Sequence, residues 1–155
     1  MRARALAARL VADTPRLATQ AALLRVACGV IFVAFGLGKF TAHASEARSF
    51  AKYGLPSPGL FASAIGVLEL ALGLLLVAGL ATRLAAVMLA GEMVGAIATA
   101  GRVEGGAINL GLAPALLVVM LFLVWSGAGR WSVDARLRSG LATPPQAPPS
   151  GLTGK

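Results

Sequence analysis

Charge is scarce in this sequence: 13% of its 155 residues are Asp, Glu, Lys or Arg, about half the share of an ordinary soluble domain. That scarcity excludes the usual solvated surface. There is one cysteine, Cys28, which excludes an intrachain disulfide or a paired-thiol redox motif. The single histidine, His43, excludes a haem held by two histidines, and with one cysteine it leaves no His/Cys set for a zinc site. His43 falls in a loop after the first apolar run and is expected to be solvated. The segment Gly36-x-Gly38-Lys39 lacks the glycine spacing and the following Ser/Thr of a phosphate loop.

Apolar residues are plentiful, at 57% with a mean hydropathy of +0.81. The runs 60–80, 84–101 and 108–126 are each long enough to cross a bilayer. An earlier run, 26–38, is charge-free for only about 20 Å of helix, so Arg25 and Lys39 must reach outward or find partners. The expected fold is all-α: a polytopic membrane four-helix bundle with helices at about 15–40, 60–78, 83–100 and 108–125. Thr14-Pro15 supplies a cap and a first-turn proline for helix one. Gly79 closes helix two, and the tight turn after it makes helices two and three a hairpin. Residues 101–106 read as a loop, and Trp125 and Trp131 as interface markers. Ser45 is the expected cap of a short amphipathic helix lying on the surface between helices one and two, with Phe50, Tyr53 and Phe61 as anchors.

The net charge of +8 would raise nucleic acid as a partner in a soluble chain, but topology explains it here. With four spans, ten basic residues fall on the side of the termini and four, Lys39, Arg48, Lys52 and Arg102, on the other. The positive-inside rule then places both termini in the cytoplasm of a multi-pass cell-membrane protein whose constant partner is the lipid bilayer. The basic N-terminus, 1–14, is expected to precede an uncleaved anchor, and the Pro-rich tail, 139–155, to be disordered.

Glu69 and Glu92 carry the most chemical information. Each lies about 13 Å from the hairpin turn, near the midplane and at matching depth. An ionised carboxylate there must be protonated, paired or exposed to a water-filled cavity. The candidate binding or proton-handling residues are therefore Glu69, Glu92, Lys39 and Arg25, the two bases flanking the middle of helix one. A role in fixing helix register is the structural alternative. Arg83 and Asn109 are expected to be structural polar residues. Gly66 and Gly73 share a stripe with Glu69, Gly91 and Gly95 flank Glu92, and Gly29 and Gly36 suit close packing of helix one.

Together these residues resemble the DoxX family of small membrane proteins. The resemblance rests on Arg25-x3-Gly29-x2-Phe32-x3-Gly36-x2-Lys39, Phe50-x3-Gly54-x-Pro56-x-Pro58, Gly66-x2-Glu69-x3-Gly73-x5-Gly79-x2-Thr82-Arg83 and the ending Gly129-Arg130-Trp131-Ser132-Val133-Asp134. It implies a four-helix bundle in the cytoplasmic membrane and an association with membrane oxidoreductase assemblies, quinone- or thiol-linked. Arg25, Lys39, Glu69 and Arg83 match the family's recurring polar residues. Many relatives carry a histidine and an acidic residue before the last helix, where this chain has Thr99, Gly101 and Asn109. The expected function is an accessory subunit of such an oxidoreductase, not catalytic alone. It would have no covalent or metal-held cofactor, with a quinone as the ligand its acids suit. The alternative is a proton- or cation-coupled transporter acting as a homodimer through Gly91 and Gly95.

Overall fold

The computed structural model describes residues 15–136, and the expected helix cap at Thr14, the basic N-terminus and the Pro-rich tail lie outside them. Six α-helices follow in order: α1 (Pro15–Thr41), α2 (His43–Lys52), α3 (Pro58–Ala78), α4 (Thr82–Ala98), α5 (Ala100–Val103) and α6 (Ala113–Ser126). No strand occurs among the described residues. A π-helical turn, Ile108–Leu112, leads directly into α6, and α5 continues α4 after an irregular residue at Thr99. Four stretches are long and apolar enough to span a membrane: Leu17–Thr41, Pro58–Ala78, Thr82–Val103 and Ile108–Ser126. The third span therefore runs through the first three residues of the loop that composition suggests at 101–106. Chain reversal waits for Gly105 and Gly106, whose φ values of +62° and +81° suit glycine.

Two antiparallel pairs, α1 with α3 and α4 with α6, form the most extensive contacts and pack side by side as one bundle. Glycine sets the first pair. A Cβ on Gly36 would stand 2.8 Å from the Gly66 carbonyl, and one on Gly29 would stand 2.9 Å from that of Gly73. The two backbones touch, as small residues permit in membrane helices. Phe32, Leu76, Leu89, Met120 and Leu123 fill the space between the pairs. Valines and leucines such as Val67, Leu74, Val87 and Val118 face outward, as a lipid-bathed bundle requires.

Helix α2 has no buried residue and lies across one end of the bundle, packed on α3. It begins at His43 after Ala42, with no side-chain cap, so Ser45 is a first-turn residue and not the cap its type suggests. Its far end is tied to the segment after α5: Lys52 Nζ lies 4.0 Å from Glu104. Tyr53 and Ser49 also hydrogen-bond to Glu104. These bonds, Ser49's first, hold the Glu104 carboxyl below its ordinary value. Burial and then the bond to Glu104 push the Tyr53 phenol up to about 12.

The other end of the bundle carries both termini of the described chain. There residues 127–136 turn back beneath α3 and α4, so that the Arg130 amide donates to the Ala18 carbonyl at 3.1 Å and the Asp134 amide to that of Gly79 at 3.0 Å.

Candidate functional site: a lysine and two glutamates inside the bundle

Glu69 lies eleven residues after Pro58 and nine before Ala78, about 16 Å and 13 Å from the ends of α3 and hence near mid-membrane. Its side chain is buried. Lys39 Nζ stands 3.0 Å from its Oε1 and 2.8 Å from its Oε2. The lysine is two residues from the end of α1, close enough for its ammonium to reach the headgroup region. It turns inward instead, its Cβ passing 3.2 Å from where a Gly66 Cβ would be. A lysine gives up hydration in that way only where a carboxylate replaces it.

The Glu92 carboxyl on α4 lies beside that of Glu69, near enough for one proton to be shared between them, with Lys39 in electrostatic range of both. Glu92 Oε2 is buried and has no hydrogen-bond partner among the described residues. Three side chains from three helices thus meet, two acids with one base. The cluster is neutral only when it holds one proton or one additional cation, and neutrality is strongly preferred in a low-dielectric interior.

Arg25 does not join them. It lies fourteen residues from Lys39 on the same helix, about 21 Å away. It is 2% exposed, and its guanidinium donates to the carbonyls of Leu76, Val77 and Trp131. Two of these carbonyls are at the C-terminal end of α3, where helix carbonyls lack intrahelical partners, although that of Leu76 also accepts from the Gly79 amide at 3.1 Å, and the third is in the returning segment. Asp134 completes the arrangement. Its two carboxylate oxygens accept from the amides of Ala81 at 2.9 Å and Thr82 at 3.0 Å, capping the start of α4. Arg25 and Asp134 together close the α3–α4 turn. Arg83 is exposed near Gly127, and Asn109, in the π-helical turn, donates back to the Gly105 carbonyl at 3.0 Å. No group of three or more metal-binding side chains occurs among the described residues.

His43 is not solvated as expected but half-buried. Its Nε2 lies 3.0 Å from Ser63 Oγ and 3.1 Å from the Gly59 carbonyl, and Ser63 also bonds that carbonyl at 3.1 Å. Sequence reasoning missed Ser63. The available signal was its position on α3, one turn before Gly66 and two before Glu69 on a shared stripe.

The DoxX family model matches residues 21–102, more than half of the chain. The chain belongs to the DoxX family. An "Uncharacterized membrane protein Rv3486" of Mycobacterium tuberculosis (strain ATCC 25618 / H37Rv) is 37% identical over 128 residues, covering 74% of this chain and 78% of that protein. A Bacillus subtilis (strain 168) protein named "Putative oxidoreductase CatD" is 43% identical over 77 residues. That match covers 50% of this chain and 56% of the relative, so it spans little more than half of that protein's length. No solved structure matches. Within this DoxX chain the matched region contains Arg25, Lys39, Glu69 and Glu92, while Asp134 lies beyond it.

Proposed function

We propose that this DoxX protein is an accessory membrane subunit of an oxidoreductase system, and that its Lys39–Glu69–Glu92 cluster holds a proton for a quinone. The observation that carries the reading is the pairing of two midplane carboxyls with one ammonium, Glu92 keeping one oxygen unpartnered. Glu69 is committed to Lys39. Glu92 is the group left to donate. It is only half-buried, and beside it Gly91 and Gly95 are exposed, with nothing within 4 Å of a Cβ at either. A lipid-soluble headgroup can therefore approach Glu92 sideways from the bilayer, and its carbonyl oxygen would accept a hydrogen bond from the protonated acid. When bound, a quinone supplies two-electron, two-proton chemistry, with electrons from the partner subunit. Lys39 engages the Glu69 carboxylate, which leaves the Glu92 carboxyl to give up and take back the proton. The oxidoreductase name of the Bacillus subtilis relative supports the same class of system. The excess of basic residues at the terminal end supports a cytoplasmic position for both termini.

Native mass spectrometry of the protein, extracted from its own membrane in mild detergent, tests this. A quinone and an oxidoreductase subunit at fixed ratio are expected with the wild type, with Glu92→Gln losing the quinone and keeping the subunit. A bare protein carrying only phospholipid overturns the proposal.

A further inference from the structure

We infer that the Lys39–Glu69–Glu92 cluster exchanges its proton with water from the α2 end alone, through an entry formed by Ser63 and His43. This rests on the reading of the cluster as a proton-holding site and adds the side from which the proton comes.

The two directions away from Glu69 differ in chemistry. Toward α2, the α3 stripe runs Glu69, Gly66, Ser63, about 9 Å along the axis. Gly66 contributes no side chain, and the stem of Lys39 lies over it. Lys39 is 15% exposed against 2% for Glu69, so the lysine marks where the buried cluster meets its surroundings. Beyond it stand the Ser63 hydroxyl and His43 Nε2, 3.0 Å apart. Each can both take and give a hydrogen-bonded proton. The axial gap between Ser63 and the cluster is partly filled by the ammonium, and about two waters at ordinary hydrogen-bond spacing would bridge the rest. Of the other titratable groups at this end, Glu104, Lys52 and Tyr53 engage one another beyond the last turn of α2, Glu46 and Arg48 are on α2 itself, and Arg102 is at the end of the third span.

Toward the termini there is no such series. Leu72, Leu76, Phe32 and Leu89 are each at most 7% exposed and close the bundle for two turns below Glu69. Past them Arg25 lies across the carbonyls of Leu76, Val77 and Trp131. A proton leaving that way would cross apolar packing and then meet a fixed cation. Water therefore reaches the cluster from the α2 end, while the face at Glu92 beside Gly91 and Gly95 opens on the bilayer and not on water.

The test uses the full chain in lipid nanodiscs, without quinone. The infrared carbonyl stretch of the protonated carboxyl, assigned by its loss in Glu92→Gln, is followed after transfer to D2O. His43→Phe and Ser63→Ala are each expected to slow its exchange about a hundredfold, the scale of losing a positioned proton-transfer group. Cys28→Ala, toward the closed end, should leave the rate unchanged. An unchanged rate in the His43→Phe/Ser63→Ala double variant overturns the inference. A second measurement does not depend on the band: in Ser63→Cys, a membrane-impermeant thiol reagent should modify the new cysteine and spare Cys28. Modification of Cys28 as fast as the new cysteine also overturns it. If the wild type shows no carboxyl band while labelling keeps this pattern, proton storage fails and the one-sided water access stands.

Discussion

Arg25 and Lys39 are on one helix, both inside an apolar bundle, yet they are treated in opposite ways. Arg25 meets three backbone carbonyls at a helix end, with Asp134 nearby capping the next helix. Its charge answers partial charges that the fold itself creates. Lys39 meets an acid that the fold did not require, and a second acid stands beside the first with one oxygen unanswered. The difference separates a charge that closes a structure from one that leaves chemistry available. A buried guanidinium whose hydrogen bonds all go to backbone, with the helix-capping Asp134 in electrostatic range, is accounted for by folding, whereas an excess of acids over bases at mid-membrane needs a mobile proton or cation.

Removing Arg25 gives the largest expected effect. Arg25→Met removes the side-chain donor of the Val77 and Trp131 carbonyls, leaves Leu76 with the Gly79 amide alone, and should cost about 3 kcal/mol, read as a loss of thermal stability in detergent. Because those carbonyls are backbone, Asp134→Asn should not restore it. Lys39→Met should cost about 2 kcal/mol by stranding Glu69, and here Glu69→Gln should recover most of the loss, because the partner is a side chain that can be neutralised. Equal rescue at both places, or at neither, breaks the distinction between them.

Much of this was legible in the sequence. The four spans, the hairpin at Gly79 and the matching depth of Glu69 and Glu92 follow from counting residues at helical rise. That Lys39, and not Arg25, meets Glu69 did not follow, because both bases lie at similar distances from the middle of helix one. The choice depends on the antiparallel register of α1 on α3, which the Gly29–Gly73 and Gly36–Gly66 contacts fix. The entry at His43 was hidden for the same reason: its partners, Gly59 and Ser63, lie across a turn whose geometry composition does not disclose. Asp134 could be seen as part of a motif, but not as the cap of a helix some fifty residues earlier.

That register can be tested against the exposed glycines. Gly36→Ala forces a methyl group to 2.8 Å from the Gly66 carbonyl and should cost about 2 kcal/mol by separating α1 from α3. It should also weaken the Lys39–Glu69 pair, so its loss and that of Lys39→Met should not add. Gly95→Ala meets nothing and should leave monomer stability within about 0.5 kcal/mol. If Gly95→Ala instead changes the oligomeric state in cross-linking, this face of α4 is covered by a second copy, and lateral access to Glu92 is lost.

The smallest effect is expected at the far end of α2, where a contact fully outside the spans can be titrated. Glu104 lies below its ordinary value of 4.5 because Ser49 first and Tyr53 second donate to it. Its folded value is depressed, so its contribution is complete above the unfolded value and disappears as the pH falls through the folded one. Tyr53 is raised from 10.0 to about 12, so its share is present below the unfolded value and disappears as the pH climbs through the folded one. A spin label on α2 at the exposed Arg48 position should therefore report constant mobility from about pH 5 to about pH 9 and loosening in acid. Tyr53→Phe should weaken the contact by less than about 1 kcal/mol and move the acid transition up toward the ordinary carboxylate range, and Ser49→Ala should move it further. Because Lys39 and Glu69 sit on α1 and α3, neither substitution should alter their pair. Loss of the Glu92 carboxyl band in Tyr53→Phe would show that docking of α2 controls the cluster as well as covering it.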